Sequence, residues 1–239
     1  MVLQSPPSEL AVVTTEPTRP RRRTLAERRA SRCCLALALL VLSAAPSWGE
    51  GIECPSGTVT RGGPPPEGVK QWCERSDRSQ HGPSLSWYPT GEKLAEAQFD
   101  EGRLTGNFRR WYQNGQLGEQ GRYRDGQREG EHTMWDENGV VRMRRNFDGG
   151  KPDGAWEAFF PNGRLRVSER FSDGLKDGPV ATYFETGQQE VEGEYRKGEL
   201  HGTWTAWYAD GFVRRLAKYE KGKAVSEQVF ESGEKPAAD

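Results

Sequence analysis

A row of six aromatic residues recurs every 24 residues in this 239-residue chain. Its members are Trp87, Trp111, Trp135, Phe159, Tyr183 and Trp207. Rings at such regular spacing on a polar face suit binding to a polymer, a peptide or a lipid interface. The alternative is that they pack over the second face of a sheet. Aromatic binding is therefore the strongest candidate chemistry in the sequence.

Residues for catalysis or metal binding form no comparable pattern. His81 and His201 each precede a repeated glycine and are interpreted as turn residues, whereas His132 occupies a position filled by Trp in other copies. No zinc-protease motif, serine-nucleophile motif or phosphate-binding glycine loop is present. Asp173 and Asp177 suggest Ca²⁺, but aspartate is ordinary in turns and other copies lack the pair. We expect no enzyme activity, no metal and no cofactor.

The spacing of glycine defines the repeat that carries the aromatic row. With Gly82 counted as position one, positions one, ten and twenty-one hold glycine in all six copies. Glycine costs about 1 kcal/mol in a helix interior, so this pattern disfavours helical repeats. The fixed period indicates a repeat architecture. We predict an all-β fold, a repeat array of antiparallel β-hairpins with a 24-residue period that forms an elongated twisted sheet.

Alternation within each copy assigns the two faces of the predicted sheet. Position eighteen is always Phe or Tyr, and in the third and fourth copies apolar residues precede it at positions twelve and fourteen, whereas the residues between them are polar or charged. This period of two is typical of a half-buried strand. We expect Trp156 and Trp204, at position three, to share the inner face with position eighteen. Position six then lies on the outer face.

Turn signals predict the register of each hairpin. Asn-Gly or Asp-Gly at positions nine and ten suits a two-residue type I′ turn. Position six would then pair with position thirteen, and position seven with position twelve. The cation–π pairs expected on the outer face are Trp135 with Arg142, Phe159 with Arg166, and Trp207 with Arg214.

The N-terminal region has the layout of a secretory signal. A basic stretch precedes the apolar run Cys33–Ala45, and small residues follow it. Thirteen apolar residues are fewer than the roughly 20 that span a bilayer. We predict a signal peptide over residues 1–49 and export to the periplasm, cell envelope or extracellular space; an uncleaved anchor or a buried helix is the alternative.

Cysteine usage and charge agree with export. Cys54 and Cys73 form an even pair after the signal, and an oxidising compartment would join them in a disulfide. Residues 50–81 are therefore predicted to be a disulfide-linked segment ahead of the repeats. Residues 50–239 hold 27 Lys and Arg against 32 Asp and Glu, a net charge of −5. This balance argues against nucleic-acid binding.

The repeat resembles a known family. The stretch GNFRRWYQNGQLGEQGRYRDGQREG carries nearly all of the pattern of the MORN repeat in its shorter bacterial variant, whose members often bear a YwqK-type antitoxin label. The resemblance covers six copies over residues 82–225, with a degenerate seventh copy and tail over 226–239. It implies a hairpin array that binds a partner, with membrane association and protein scaffolding as family roles.

The repeat and the export signal leave three hypotheses for function. The first is an exported, non-catalytic scaffold that binds or assembles protein partners. The second is a cell-surface glycan or phospholipid binder that uses the aromatic row. The third is an antitoxin-like component of a toxin–antitoxin system. The sequence does not identify the ligand or the oligomeric state.

The signal-peptide prediction fixes the mature N-terminus. We expect it to lie between Ala45 and Cys54, because the small residues after the apolar run suit cleavage there. Intact-mass measurement of the exported protein tests this expectation. Retention of residues 1–44 in most molecules would contradict it.

Overall fold

A single open sheet contains all the strands of the structure, a computed structural model that describes residues 51–233. The sixteen strands are β1 Val59–Gly63, β2 Lys70–Glu74, β3 Gln80–Trp87, β4 Lys93–Asp100, β5 Arg103–Trp111, β6 Leu117–Arg124, β7 Gln127–Trp135, β8 Val141–Asp148, β9 Lys151–Phe159, β10 Leu165–Ser172, β11 Leu175–Lys176, β12 Gly178–Tyr183, β13 Gln189–Arg196, β14 Glu199–Trp207, β15 Val213–Glu220 and β16 Lys223–Val229. Each strand pairs antiparallel with its neighbour in sequence, except that β11 pairs only with β10, and β10 continues to β12. The prediction of an all-β hairpin array is confirmed. The predicted signal peptide, residues 1–49, lies outside the described residues, as do residues 234–239 of the predicted tail.

The second turn of each repeat is the one with type I′ geometry. In the second copy, Asp125 and Gly126 have φ angles of 50° and 81°, and Arg124 pairs directly with Gln127 across the turn. Two positive φ angles in a two-residue loop define this turn type. The same geometry recurs at positions twenty and twenty-one of the other copies, at Glu101–Gly102, Gly149–Gly150, Asp173–Gly174, Lys197–Gly198 and Lys221–Gly222.

The first turn differs from the prediction. The amide of Tyr112 donates to the carbonyl of Gln116 at 2.8 Å, and that of Gly115 donates to the carbonyl of Tyr112 at 2.9 Å. Within this loop the positive φ is at Gly115, 82°. The loop therefore has three residues, a type I turn followed by a left-handed glycine. The Asn114 side chain accepts the amide of Gln116 at 3.0 Å, which explains why asparagine occurs here without a positive φ.

This three-residue loop changes the cross-strand register. Trp111 pairs with Leu117, so position six faces position twelve. The predicted pairing of position six with thirteen, and of seven with twelve, is wrong. The ladder then shifts by one residue, so that Arg110 pairs with Glu119. A bulge of this kind tightens the local twist of the hairpin.

An aromatic ladder crosses the inner face, as the alternation predicted. Rings from positions three and eighteen alternate along the sheet, with centroids 4.5–5.7 Å apart, in the order Phe108, Tyr123, His132, Phe147, Trp156 and Phe171. A second series joins Tyr195, Trp204 and Tyr219. Val180 occupies position three between the two series and is 6% exposed. Contacts between neighbouring rings therefore join one hairpin to the next within each series.

Two glycines at position sixteen let the ladder rings lie against the sheet. A Cβ on Gly121 would be 2.2 Å from Nδ1 of His132, and a Cβ on Gly193 would be 2.2 Å from Cδ2 of Trp204. Both distances are far below a normal contact. Each ring therefore occupies the space above a glycine of the preceding hairpin, an arrangement known as aromatic rescue of glycine.

The segment ahead of the repeats extends the same sheet. A disulfide joins Cys54 to Cys73 of β2, as the sequence predicted, and Cys73 is 1% exposed. Pro55 packs over Gly82, where an added Cβ would be 2.6 Å from the proline Cδ. The β1–β2 hairpin pairs with β3 and so continues the array. The N-terminal edge is thereby fastened to the first repeat.

Substituting the glycines under the rings should destabilise the sheet. We expect Gly121→Ala and Gly193→Ala each to lower the free energy of unfolding by about 1–3 kcal/mol, because the methyl group forces the ring off the sheet. Urea melts provide the measurement. Gly63→Ala is the matched control, since a Cβ there meets no atom within 4 Å. An equal loss in the control and in the two variants would contradict this role.

Candidate functional site

The six candidate aromatics lie at the ends of the first strands of their hairpins. Each pairs in register with position twelve of its own copy, as Trp87 with Lys93, Trp111 with Leu117, Trp135 with Val141, Phe159 with Leu165, Tyr183 with Gln189 and Trp207 with Val213. Trp87 is buried, with 8% of its surface exposed, and the other five are half-buried. The structure therefore places all six in one row but leaves only part of each ring accessible. Their role in binding stays a prediction.

Cations contact this row at points that the sequence did not predict. Nζ of Lys93 lies 5.3 Å from the Trp111 ring, and the guanidinium of Arg144 lies 5.3 Å from the Phe159 ring. Both cations come from the preceding hairpin. The three predicted pairs with position thirteen do not form in residues 51–233, because the bulge moves position thirteen out of register with position six. The cation–π contacts therefore link repeats.

Tyrosine occupies position seven in three of the six copies, and there it bonds the backbone of the next hairpin. The hydroxyl of Tyr88 donates to the carbonyl of Trp111 at 3.1 Å, and that of Tyr112 donates to the carbonyl of Trp135 at 2.8 Å. Tyr208 makes the same kind of bond to Phe230 at 3.0 Å. The sequence paired position seven with position twelve and did not predict this hydrogen bond. The Trp-Tyr pair in the repeat was the available signal, because a half-buried tyrosine hydroxyl needs a partner.

His132 has a structural role that Trp performs in other copies. Its Nε2 lies 2.8 Å from the carbonyl of Arg122, and the side chain is 4% exposed. Nε1 of Trp156 donates to Asn146 at 2.9 Å, and Nε1 of Trp204 donates to Glu194 at 3.2 Å. Each acceptor is the carbonyl at position seventeen of the preceding copy. Burial lowers the pKa of His132 below its ordinary value, and the charge of Arg128 acts in the same direction. The burial, the lowered pKa and the contact with Arg122 all fit a neutral His132 ring whose Nε2–H donates to the carbonyl of Arg122.

Two of the other histidine and aspartate candidates, His81 and Asp173, form ion pairs within the sheet. His81 and His201 lie in β3 and β14 rather than in turns, and Nδ1 of His81 lies 2.9 Å from Asp100. Asp173, at an exposed turn, pairs with Lys151 at 2.6 Å. Over residues 51–233 no group of three or more His, Cys, Asp and Glu side chains is arranged to hold a metal ion.

The same residues include no helix long and apolar enough to cross a membrane.

Comparison with known proteins finds a family match within the repeat region. The family model described as MORN repeat variant matches residues 104–125 and 128–148, which span most of the second and third copies. No curated protein matches the chain. One of the similar solved structures is titled "Crystal structure of GtfA/B complex bound to UDP and GlcNAc". It is 14% identical over 61% of this chain and 25% of that chain, with a TM-score of 0.23, a likeness too low to support an inference.

The position of His132 predicts a pH dependence of stability. Because the folded pKa is lowered, the unfolded chain takes up this proton first, so the free energy of unfolding should fall as the pH drops below about 6.5. His132→Trp should remove this contribution and keep the N–H donor. Urea melts of both proteins between pH 7.5 and 5 provide the measurement. An identical pH dependence in the variant and the wild type would contradict the assignment.

Proposed function

Because the chain carries MORN repeats of the variant type, we propose that it is an exported, non-catalytic scaffold that binds protein partners along its aromatic row. MORN repeats are in general protein- or membrane-binding modules. The observation that carries the proposal is the row itself, since a partly accessible aromatic side chain recurs in five of the six hairpins along an open sheet. Aromatic residues are enriched at protein interfaces because they bury much area at little entropic cost.

Two further observations support this proposal. The Cys54–Cys73 bond suits an oxidising compartment and agrees with the predicted signal over residues 1–49. The tyrosine hydroxyls of position seven hold the backbone of the row, so the rings are ordered before a partner arrives. Order in the free protein lowers the entropic cost of association.

The second hypothesis, a glycan or phospholipid binder, uses the same row and is separable by experiment. Lys93 and Arg144 beside the rings would suit an anionic headgroup. The acidic residues Glu192 and Glu194 on one strand would oppose a uniformly anionic surface. The antitoxin hypothesis has no comparable observation in its favour.

Replacing an aromatic side chain by alanine should affect mainly partner binding in the outer row and mainly stability in the inner ladder. We expect Trp111→Ala and Trp135→Ala to reduce partner binding with little loss of stability, because these rings stand outside the inner aromatic ladder. Trp156→Ala should instead lose about 3 kcal/mol of unfolding free energy and keep binding as long as it folds, because its ring packs against Phe147 and Phe171 and donates to the carbonyl of Asn146. Urea melts measure stability. Cross-linked pull-down of residues 50–239 from the native cell envelope, read by mass spectrometry, measures binding.

The same assay distinguishes the competing functions. Co-sedimentation with cell wall or liposomes, without a cross-linked protein, would replace the scaffold by the glycan or lipid hypothesis. If Trp111→Ala and Trp135→Ala destabilise the chain as much as Trp156→Ala and leave capture unchanged, the row is packing and the proposal is wrong.

A further inference from the structure

Strand β16 begins a seventh copy of the repeat, which the sequence predicted only as degenerate. The hydroxyl of Tyr208 donates to the carbonyl of Phe230 at 3.0 Å, as that of Tyr88 donates to the carbonyl of Trp111 in the first copies. Phe230 is half-buried, and Gly233 after it has a φ of 89°, in the left-handed region that the glycines of the first turns adopt. Phe230 is therefore a seventh member of the aromatic row that the sequence did not reveal.

The edge of β16 that faces away from β15 is open. β16 ends the sheet, and within residues 51–233 it pairs with β15 alone. All seven of its residues are exposed, including Val225 at 53% and Val229 at 69%. It contains neither glycine nor proline, and its backbone groups on this side have no strand to pair with. An edge of this kind is a template for a further strand.

The structure of the array supports an added strand at this end. β16 shifts register against β15, as β14 does against β13, and β14 nevertheless pairs along its other edge with β15. At the opposite end of the sheet, β1 has only five residues, ends in two glycines and is followed by Pro64. Short edge strands and proline discourage pairing with another chain. β16 is therefore the end of the array that is suited to extension.

The other copies show which side chains a second strand places against such an edge. In the fourth copy, positions six, five and one of the first strand pair with three apolar residues, Leu165, Val167 and Phe171. Position six faces Leu or Val in four of the six copies, and position one faces Phe or Tyr in all six. Counted back from Phe230 at position six, Val229 takes position five and Val225 takes position one. A strand added in this register would cover both exposed valines with apolar side chains.

We propose that the open edge of β16 binds an extended segment of a protein partner, which joins the sheet as an antiparallel strand. The backbone of the segment would pair with β16. Its side chains would place Leu or Val opposite Phe230, an aliphatic residue opposite Val229, and Phe or Tyr opposite Val225. This inference rests on the proposed scaffold function and specifies a contact surface and the chemistry of the partner.

A synthetic copy of β10, Leu165–Ser172, tests this edge because it carries the required pattern. Fluorescence anisotropy measures its affinity for the protein, and hydrogen exchange of the β16 amides shows whether a strand has been added. We expect binding and slower exchange of those β16 amides that do not bond β15. The control peptide has asparagine in place of Leu165, Val167 and Phe171 and should produce neither effect.

Variants of the two exposed valines provide the second measurement. Val225→Lys with Val229→Lys should weaken peptide binding at least about tenfold, because each lysine removes an apolar contact and places a charge at the edge. Val69→Lys with Leu175→Lys adds the same charge at side chains of similar exposure away from β16, and should leave binding unchanged. Since all four side chains are exposed, both proteins should fold, which urea melts check.

The outcomes separate this inference from the scaffold proposal. Equal binding of the two peptides, unchanged exchange of β16, or unchanged binding in the Val225 and Val229 variant would overturn the inference even if envelope capture succeeds. Peptide binding without envelope capture would support the inference and contradict the scaffold proposal. Trp111→Ala should retain peptide binding, because Trp111 ends β5, far from β16 in the strand order.

Two other occupants of the edge would be recognised by the same exchange measurement. Protection of the β16 amides that rises with protein concentration in the absence of peptide would identify a second copy of the chain. Protection that is lost on removal of residues 234–239 would identify the tail of the chain itself. Either result would replace the partner proposed here.

Discussion

At the start of the third, fourth and sixth copies, the contact with the preceding hairpin depends on a ring that lies beside a break in the backbone ladder. Where the register shifts at the start of a copy, the aromatic side chain of position three covers position sixteen of the preceding copy. In His132, Trp156 and Trp204 the ring nitrogen also bonds the carbonyl of position seventeen. An unpaired carbonyl beneath a ring would be costly. One side chain therefore supplies apolar contact and satisfies a polar group at the same place.

A sheet one layer thick makes these contacts decisive. Few described side chains are fully buried, and Cys73 and Ala217 are the most enclosed of them at 1% and 2% exposure. Without a second layer, each hairpin is stabilised by its two neighbours, as in other repeat proteins. Tyrosine bonds along the first turns and rings along the inner face hold the junctions at which these side chains occur. Substitutions that leave both in place should disturb only their own copy and its neighbours.

The fifth copy shows the effect of losing this contact. Val180 has no ring to place over β10, so the ring contacts of the inner face stop at Phe171 and resume at Tyr195. The backbone pairing between the fourth and fifth copies continues through β11 and β12. The junction between the fourth and fifth copies therefore depends on backbone pairing without the ring contact that the third, fourth and sixth copies make.

The sequence by itself determined the fold class, the period, the place of the two turns in each repeat and the face of the aromatic ladder, because glycine and alternation are local signals. It also indicated the Cys54–Cys73 bond. It did not determine the turn types, since Asn-Gly is compatible with both a type I′ turn and a type I turn ending in a left-handed glycine. That one-residue difference moved position six to face position twelve. The partners of His132 and Tyr112 were equally inaccessible, because their acceptors are backbone carbonyls of another copy, which only the pairing of adjacent hairpins brings within reach.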